Sequence, residues 1–334
     1  MHPAHVHFFR NFRKEMIELG HEIIITAREK DVLVDLLDEY GITYQVLSKQ
    51  GRGVKLAVEL LQRTWRLLEV VRAEKPDVMV GIGGPCITLA GRLTGTPAVV
   101  FYDTEFARQT NWFTYPLAHS VCTPDCYQGR VRGNHVTYAG YHELAYLHPR
   151  RFEPDPARVR TFGLEAEDPY SLLRFVSWEA VHDVNEKGLT LSQKGELIEE
   201  LSSHGRVVIS SEADLPEEFE SFQLRGPVSD IHHVLAHAEM IVGESATMAS
   251  EAAVLGVPAV FIATTGRGYT DDQQERYGLV DYFTEDRFDE AMTTIKARFA
   301  AGSPRALSVA ARKQLLTEKI DVTRWMVDYI RNLL

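Results

Sequence analysis

Met240-Ile241-Val242-Gly243-Glu244-Ser245-Ala246-Thr247-Met248-Ala249-Ser250-Glu251-Ala252-Ala253-Val254-Leu255-Gly256-Val257-Pro258-Ala259-Val260-Phe261-Ile262 decides the fold. Two short apolar runs of strand length bracket a helix of small residues, and the first run leaves through a Gly/Ser turn. Continuous apolar runs are the pattern of parallel strands covered on both faces. A helix opening at Ser245 leaves the backbone N–H groups of Ala246, Thr247 and Met248 without intrahelical partners, and they point toward an anion. Glu251 falls about two turns into that helix. There a carboxylate can accept from both hydroxyls of a ribose while phosphates stay at the helix start. The segment suits a nucleoside diphosphate. The alternative is a structural strand-helix-strand unit with Ser245 as N-cap and Glu251 on a solvated face.

Length and composition bound the rest. The 334 residues suffice for two medium domains with separate cores. With 45% hydrophobic and 25% charged residues, the chain falls outside the disordered and fibrous classes. A net charge of -11 argues against general affinity for nucleic acid and leaves at most peripheral membrane contact. Cys86, Cys122 and Cys126 have neither metal-site spacing nor the number for a disulfide framework, and read as reduced thiols. No apolar run reaches the roughly 18 residues that cross a bilayer, and no signal-peptide pattern opens the chain. A cytoplasmic protein with no metal and no cofactor is expected.

The chain alternates helix and strand patterns twice. In the first half, helices are expected at 6–19, 31–40 and 54–73, the last with Val54, Ala57, Val58, Leu61, Trp65, Leu68 and Val71 along one side. Strands are expected at 22–26, 77–81 and 98–102, with the turn Gly83-Gly84-Pro85 and a helix to Leu93 between the last two. Prolines between His148 and Pro156 mark a connection, dividing the chain into domains 1–150 and 151–334. The second half carries strands near 173–177, 207–210, 240–242 and 259–262, and a final helix over 312–334. An open α/β domain normally begins with a central strand. This sequence enters a helix at once, so the first domain is expected to lack one strand through truncation or a misassigned start.

Candidate chemistry lies at the strand ends. His2, His5 and His7 stand at the start of the first helix. His5 and His7 diverge at i, i+2 and lack neighbouring ligand types, which disfavours a metal site. A histidine at a helix N-terminus has its neutral form favoured, as a general base requires; packing or capping is the other reading. Gly83 and Gly84 form a tight turn or admit a ligand to the backbone. Asp103 and Glu105 are the carboxylates after the 98–102 strand. Arg174 and Ser177 end a strand where a cation and a hydroxyl can meet a phosphate; a surface ion pair is the alternative for Arg174. His182 and the pair His232-His233 are weaker candidates, and His232, at a helix start before Ala236-His237, reads as structural. Arg52, Lys55, Arg63, Arg66 and Arg72 give the 54–73 helix a basic side, read as a solvated face or as a surface for a lipid-linked acceptor.

Glu251-Ala252 followed by Gly256-Val257-Pro258 resembles the Glu-Ala-x-x-x-Gly-x-Pro signature of GT-B-fold sugar-nucleotide enzymes, among them the lipid II-forming glycosyltransferase and the UDP-N-acetylglucosamine 2-epimerases. Nearly end to end, the chain also resembles the domain of unknown function 354 family. That likeness rests on His2-Pro3-Ala4-His5-Val6-His7-Phe8-Phe9, Arg174-Phe175-Val176-Ser177-Trp178, Ser210-Ser211-Glu212 and the stretch from Gly243 to Ala252. It implies an α/β, GT-B-like architecture: two Rossmann-like domains facing across a cleft, with the final helix crossing back to the N-terminal domain. It also implies a tie to surface-polysaccharide synthesis.

By the same likeness His5, at a similar spacing before Gly20, takes the place of the transferase's proposed base, and Gln273 in Asp271-Asp272-Gln273 that of a loop residue bonded to the sugar. A charged solvated loop is the alternative for Gln273. The layout from Gly83 to Glu105 is similar to the epimerases, whose paired-Glu motif is absent from 106–112. The expectation is a metal-independent glycosyltransferase. Ser245, Ala246 and Thr247 take the diphosphate, Glu251 the ribose, and His5 the proton of a saccharide or lipid-linked acceptor. The alternatives are a UDP-sugar 2-epimerase or hydrolase using His5, Asp103 and Glu105, and a non-catalytic sugar-nucleotide-binding protein.

Overall fold

A computed structural model describes residues 3–29, 31–49, 55–105, 108–175, 188–211 and 215–334. They form two compact units, Met1–Arg151 with Lys319–Leu334, and Phe152–Glu318.

The first unit runs α1 (Pro3–Glu18), β1 (Thr26–Glu29), α2 (Asp31–Glu39), β2 (Gln45–Lys49), α3 (Lys55–Glu74), β3 (Met79–Ile82), α4 (Pro85–Thr94), β4 (Ala98–Phe101), α5 (Arg108–Thr114), β5 (Ser120–Pro124) and β6 (His135–Tyr138). β3-β4-β5-β6 is one parallel sheet, and β1-β2 is a separate parallel pair. Among the described residues no strand precedes α1. Leu33, Leu36 and Leu37 of α2 pack with Val6, Ala27 and Ile42, the i, i+3, i+4 spacing that makes a helix amphipathic. The strand expected at 22–26 begins later, at Thr26, although Ile25 already accepts the N–H of Gln45.

The single apolar side expected for α3 is corrected. Leu67, Leu68 and Val71 are buried against Leu47, Met79 and Ala90, whereas Leu61 and Trp65 are 69% and 62% exposed. The basic side is not uniformly solvated either. Arg63 Nε donates to Cys86 Sγ at 3.0 Å, and Arg66 Nη1 to the Leu47 carbonyl at 3.0 Å, so these arginines tie α3 to α4 and β2. Arg52 lies outside the described residues.

The second unit runs α6 (Pro156–Arg160), β7 (Tyr170–Phe175), α7 (Leu191–Ser202), β8 (Arg206–Ser211), α8 (Ile231–His237), β9 (Met240–Gly243), α9 (Ala246–Leu255), β10 (Ala259–Ile262), α10 (Gly268–Tyr277), β11 (Val280–Phe283), α11 (Phe288–Ala300), α12 (Pro304–Leu307) and α13 (Val309–Glu318). Its parallel sheet has the order β11-β10-β9-β7-β8, so the winding reverses between β7 and β9. In open α/β sheets ligands bind beyond the carboxyl ends of the strands at such a reversal. Arg174 and Gly243 are register partners there.

A Cβ on Gly243 would lie 2.0 Å from the Arg174 carbonyl oxygen, so only glycine lets β9 leave the sheet beside β7. Gly243→Ala is expected to lower stability by about 2 kcal/mol, the scale of forced overpacking. A thermal melt checks this, and an unshifted midpoint would contradict it.

The helix expected over 312–334 is two helices, α13 and α14 (Val322–Arg331). Asp321 stops the first path by capping the second: its Oδ1 accepts the Arg324 N–H at 3.2 Å, and the Arg151 guanidinium holds its other oxygen at 2.7 Å. Lys319 Nζ bonds Asp125 at 2.8 Å and Thr323 Oγ1 donates to the Ala145 carbonyl at 2.7 Å, so α14 belongs to the first unit.

Candidate functional site

In the second unit the site grows from the β9-α9 turn. Ser245 Oγ accepts the Met248 N–H at 3.3 Å and so caps α9. Ala246 and Thr247, half-buried, complete the first turn at the winding reversal. Glu244 Oε1 accepts the Leu189 N–H at 2.7 Å. The solvated face considered for Glu251 is excluded: Glu251 is buried, and its Oε1 lies 2.9 Å from Nε2 of buried His232 on α8. Arg174 Nη1 donates to Ser210 Oγ at 3.1 Å across β7 and β8.

The loop expected around Gln273 is corrected. The hydrogen bonds between Arg267 and the Thr270 hydroxyl, 3.0 Å and 2.8 Å, start a helix before the acidic run, so Asp271 to Glu275 wind into α10 instead of forming a loop. Gln273 thereby faces inward, fully buried, and its Nε2 donates to Ser250 Oγ of α9 at 2.8 Å. It joins α10 to α9. Ser177 and His182 lie outside the described residues, as does His2 in the first unit. Sequence reading passed over Lys194, a buried amine 5.1 Å above the Phe175 ring. Burial pushes its pKa down, opposed by the charge of Glu244.

In the first unit the candidates gather at the carboxyl ends of β3, β4 and β6. Gly83 and Gly84 both hold left-handed backbone, φ +74° and +61°. A Cβ on Gly84 would come within 2.7 Å of Ile87, so the turn needs glycine whatever binds there. Asp103 Oδ2 lies 3.0 Å from Nδ1 of His142, which opens the short turn His142–Ala145 after β6. An ionised Asp103 can only accept, so Nδ1 carries the hydrogen.

The His142 ring packs 4.4 Å from Phe8 and stacks on Tyr138, and its buried Nε2 has no hydrogen-bond partner among the described residues. Burial opposes ionisation of Asp103. The charge and hydrogen bond of His142, the Thr104 hydroxyl and the charge of His5 outweigh it and hold the carboxyl down at about 2. His5, half-buried in the first turn of α1, is thus electrostatically coupled to Asp103. His7 is buried and stacked on Tyr146 at 5.3 Å, a packing histidine.

Glu105 Oε1 accepts the Gln128 N–H at 3.3 Å. Tyr115 and Tyr127 share a 2.8 Å hydroxyl contact beside Tyr102. Burial, with Tyr127 and Asp103 adding, pushes Tyr102 up to about 12, so its phenol stays protonated at neutral pH. In this unit His142 is the residue that the sequence left unmarked. Its signal was position, the same strand-end edge that had marked Asp103.

Asp103 has a consequence for acid stability. Its folded pKa, about 2, lies below the ordinary 3.8, so the stabilisation is present above about pH 4 and is lost as pH falls toward 2. A shift of that size corresponds to about 2 kcal/mol. Asp103→Asn should cost stability at pH 7 and narrow that cost between pH 4 and 2. Melts across that range check it, and a pH-independent difference would contradict it.

Among the described residues no three His, Cys, Asp or Glu side chains are grouped to hold a metal ion, and no helix is long and apolar enough to cross a membrane. The chain is similar to an N-acetylglucosamine transferase of Halorhodospira halophila, named for transfer from UDP-N-acetylglucosamine to a pyrophosphoryl-undecaprenol carrier. The two are 26% identical over 263 residues, covering 73% of this chain and 70% of the other.

Among solved structures it resembles a UDP-N-acetylglucosamine 2-epimerase from Neisseria meningitidis bound to its UDP-sugar, with TM-score 0.68 and 11% identity, covering 99% of this chain and 96% of the other. It also resembles MurG from Acinetobacter baumannii, with TM-score 0.60 and 16% identity, covering 98% and 96%. These likenesses show the GT-B fold, and each unit is built on a parallel sheet. The model of the family described as "Protein of unknown function (DUF354)" matches residues 2–332, and the chain belongs to that family.

Proposed function

We propose that this protein is a glycosyltransferase that takes a sugar from a nucleoside-diphosphate sugar without a metal ion. The observation that carries the reading is the winding reversal of the second sheet, from which α9 starts directly after β9 and carries Glu251 in its middle. The N–H groups at Ser245, Ala246 and Thr247 and the helix dipole would receive the diphosphate, and Glu251 the ribose. Gly83 and Gly84 would admit an acceptor to the backbone in the first unit, and Arg174 would lend its charge to the phosphates.

In the step itself, the acceptor hydroxyl gives its proton to His5 while its oxygen bonds the sugar C1. The bond from C1 to the diphosphate breaks, and the diphosphate leaves with the electron pair. Ionised Asp103, held by His142, would stabilise the imidazolium that forms on His5. Asp103, bonded to His142 and held at about 2, is a weak base, which weighs against an epimerase step in which Asp103 itself takes the proton.

The named activity of the Halorhodospira relative supports a lipid-linked acceptor. So do Leu61 and Trp65 of α3, Leu93 of α4, and Trp112 and Phe113 of α5, large apolar side chains exposed on helices of the first unit. The test is NMR product analysis of UDP-N-acetylglucosamine incubated with the protein alone. Unchanged substrate is expected; a sugar inverted at C2 would mean epimerisation, and free N-acetylglucosamine hydrolysis.

A further inference from the structure

We propose that His232 is a positioning residue for nucleotide binding, fixing the Glu251 carboxylate so that it can accept the hydroxyls of a ribose. This rests on the reading of Glu251 as the ribose ligand. His232 is the second residue of α8, Glu251 lies in the middle of α9, and the 2.9 Å contact between Nε2 and Oε1 is the polar link between these helices at the site. Both side chains are almost wholly enclosed, at 2% and 6% exposure, and Phe152 meets the imidazole edge to face at 6.3 Å.

An enclosed carboxylate must be hydrogen-bonded, and an ionised one only accepts, so Nε2 supplies the N–H. That bond fixes the rotation of the carboxylate about its last torsion, which is broad and roughly two-fold when unrestrained. A vicinal diol benefits from such fixation, because its two oxygens sit at a fixed spacing and both hydroxyls must reach the one carboxylate at once. A ligand lacking those hydroxyls gains nothing from it. His232 thus acts through Glu251 and touches no substrate.

The test compares UDP with 2′,3′-dideoxy-UDP by calorimetric titration of the full chain. The wild type is expected to favour UDP. His232→Ala is expected to weaken UDP about tenfold, the scale of one hydrogen bond to a charged group, while binding of dideoxy-UDP stays within twofold. His232→Gln, whose amide also donates, should recover part of the preference. The double variant with Glu251→Ala should bind UDP no more weakly than Glu251→Ala alone.

His232→Phe keeps a ring against Phe152 without the donor and carries the same test if truncation unfolds the protein. Equal losses for both nucleotides, or an unchanged preference for UDP in the variants, would overturn the role of His232. A wild type that binds UDP and dideoxy-UDP alike would instead overturn the ribose reading of Glu251.

Discussion

His5→Ala should lower turnover by on the order of a hundredfold or more while leaving nucleotide-sugar affinity nearly unchanged. The asymmetry follows from the two units: His5 lies in α1 of the first, and the α9 turn in the second. Losing the base removes an interaction made only as the acceptor proton moves, which lowers kcat and spares KM for the donor. In the wild type the rate should fall on acidification, because a protonated imidazole accepts nothing. The nearby Asp103 is no substitute, since a carboxyl held at about 2 is ionised but weakly basic. Steady-state kinetics on the folded variant check the expectation. Near-normal turnover would assign His5 to packing and transfer the base role to Glu105.

Glu251→Ala is expected to weaken UDP binding about tenfold to a hundredfold, equivalent to about 1.5 to 3 kcal/mol for charge-assisted hydrogen bonds. The variant also removes the acceptor that His232 Nε2 meets at 2.9 Å. Some loss of thermal stability should therefore accompany the loss of affinity, of the size paid for an unsatisfied buried donor, about 1 to 3 kcal/mol. Glu251→Gln separates the two effects. It keeps an oxygen for His232 and loses the charge, so it should restore more stability than affinity. Unchanged UDP affinity in Glu251→Ala would remove this residue from the site.

Much of the architecture was legible because parallel strands announce themselves. The runs Met240 to Val242 and Ala259 to Ile262 are apolar on both faces, and the structure makes them β9 and β10 at the centre of a sheet. Periodicity misled where apolar residues stay outside. Leu61 and Trp65 continue the spacing of Leu68 and Val71, yet the core of α3 ends before reaching them. The final helix was read as continuous because residues 312 to 334 contain no proline or glycine; the break comes from Asp321, whose cap depends on Arg151 from far away in sequence.

The same distinction runs through the site. Ser245 as a cap follows from local chemistry, and its bond to Met248 is there. The partners of Asp103 and Glu251 are histidines 39 and 19 positions distant, on other elements, and no local pattern joins them. Gln273 shows the converse: a local likeness to a loop gave way to a helix started by Thr270, which turned the side chain into the core.

Sugar transfer shows itself as dependence on an acceptor. Radiolabelled UDP-N-acetylglucosamine, carrying tritium in the sugar, is incubated with the purified protein in the presence and absence of a bacterial lipid extract containing undecaprenyl-linked saccharides. UDP is expected to appear only with the extract, in step with label entering the lipid phase, and both signals are expected to vanish together in His5→Ala. UDP released equally without the extract, with no label leaving the water phase, would contradict transfer.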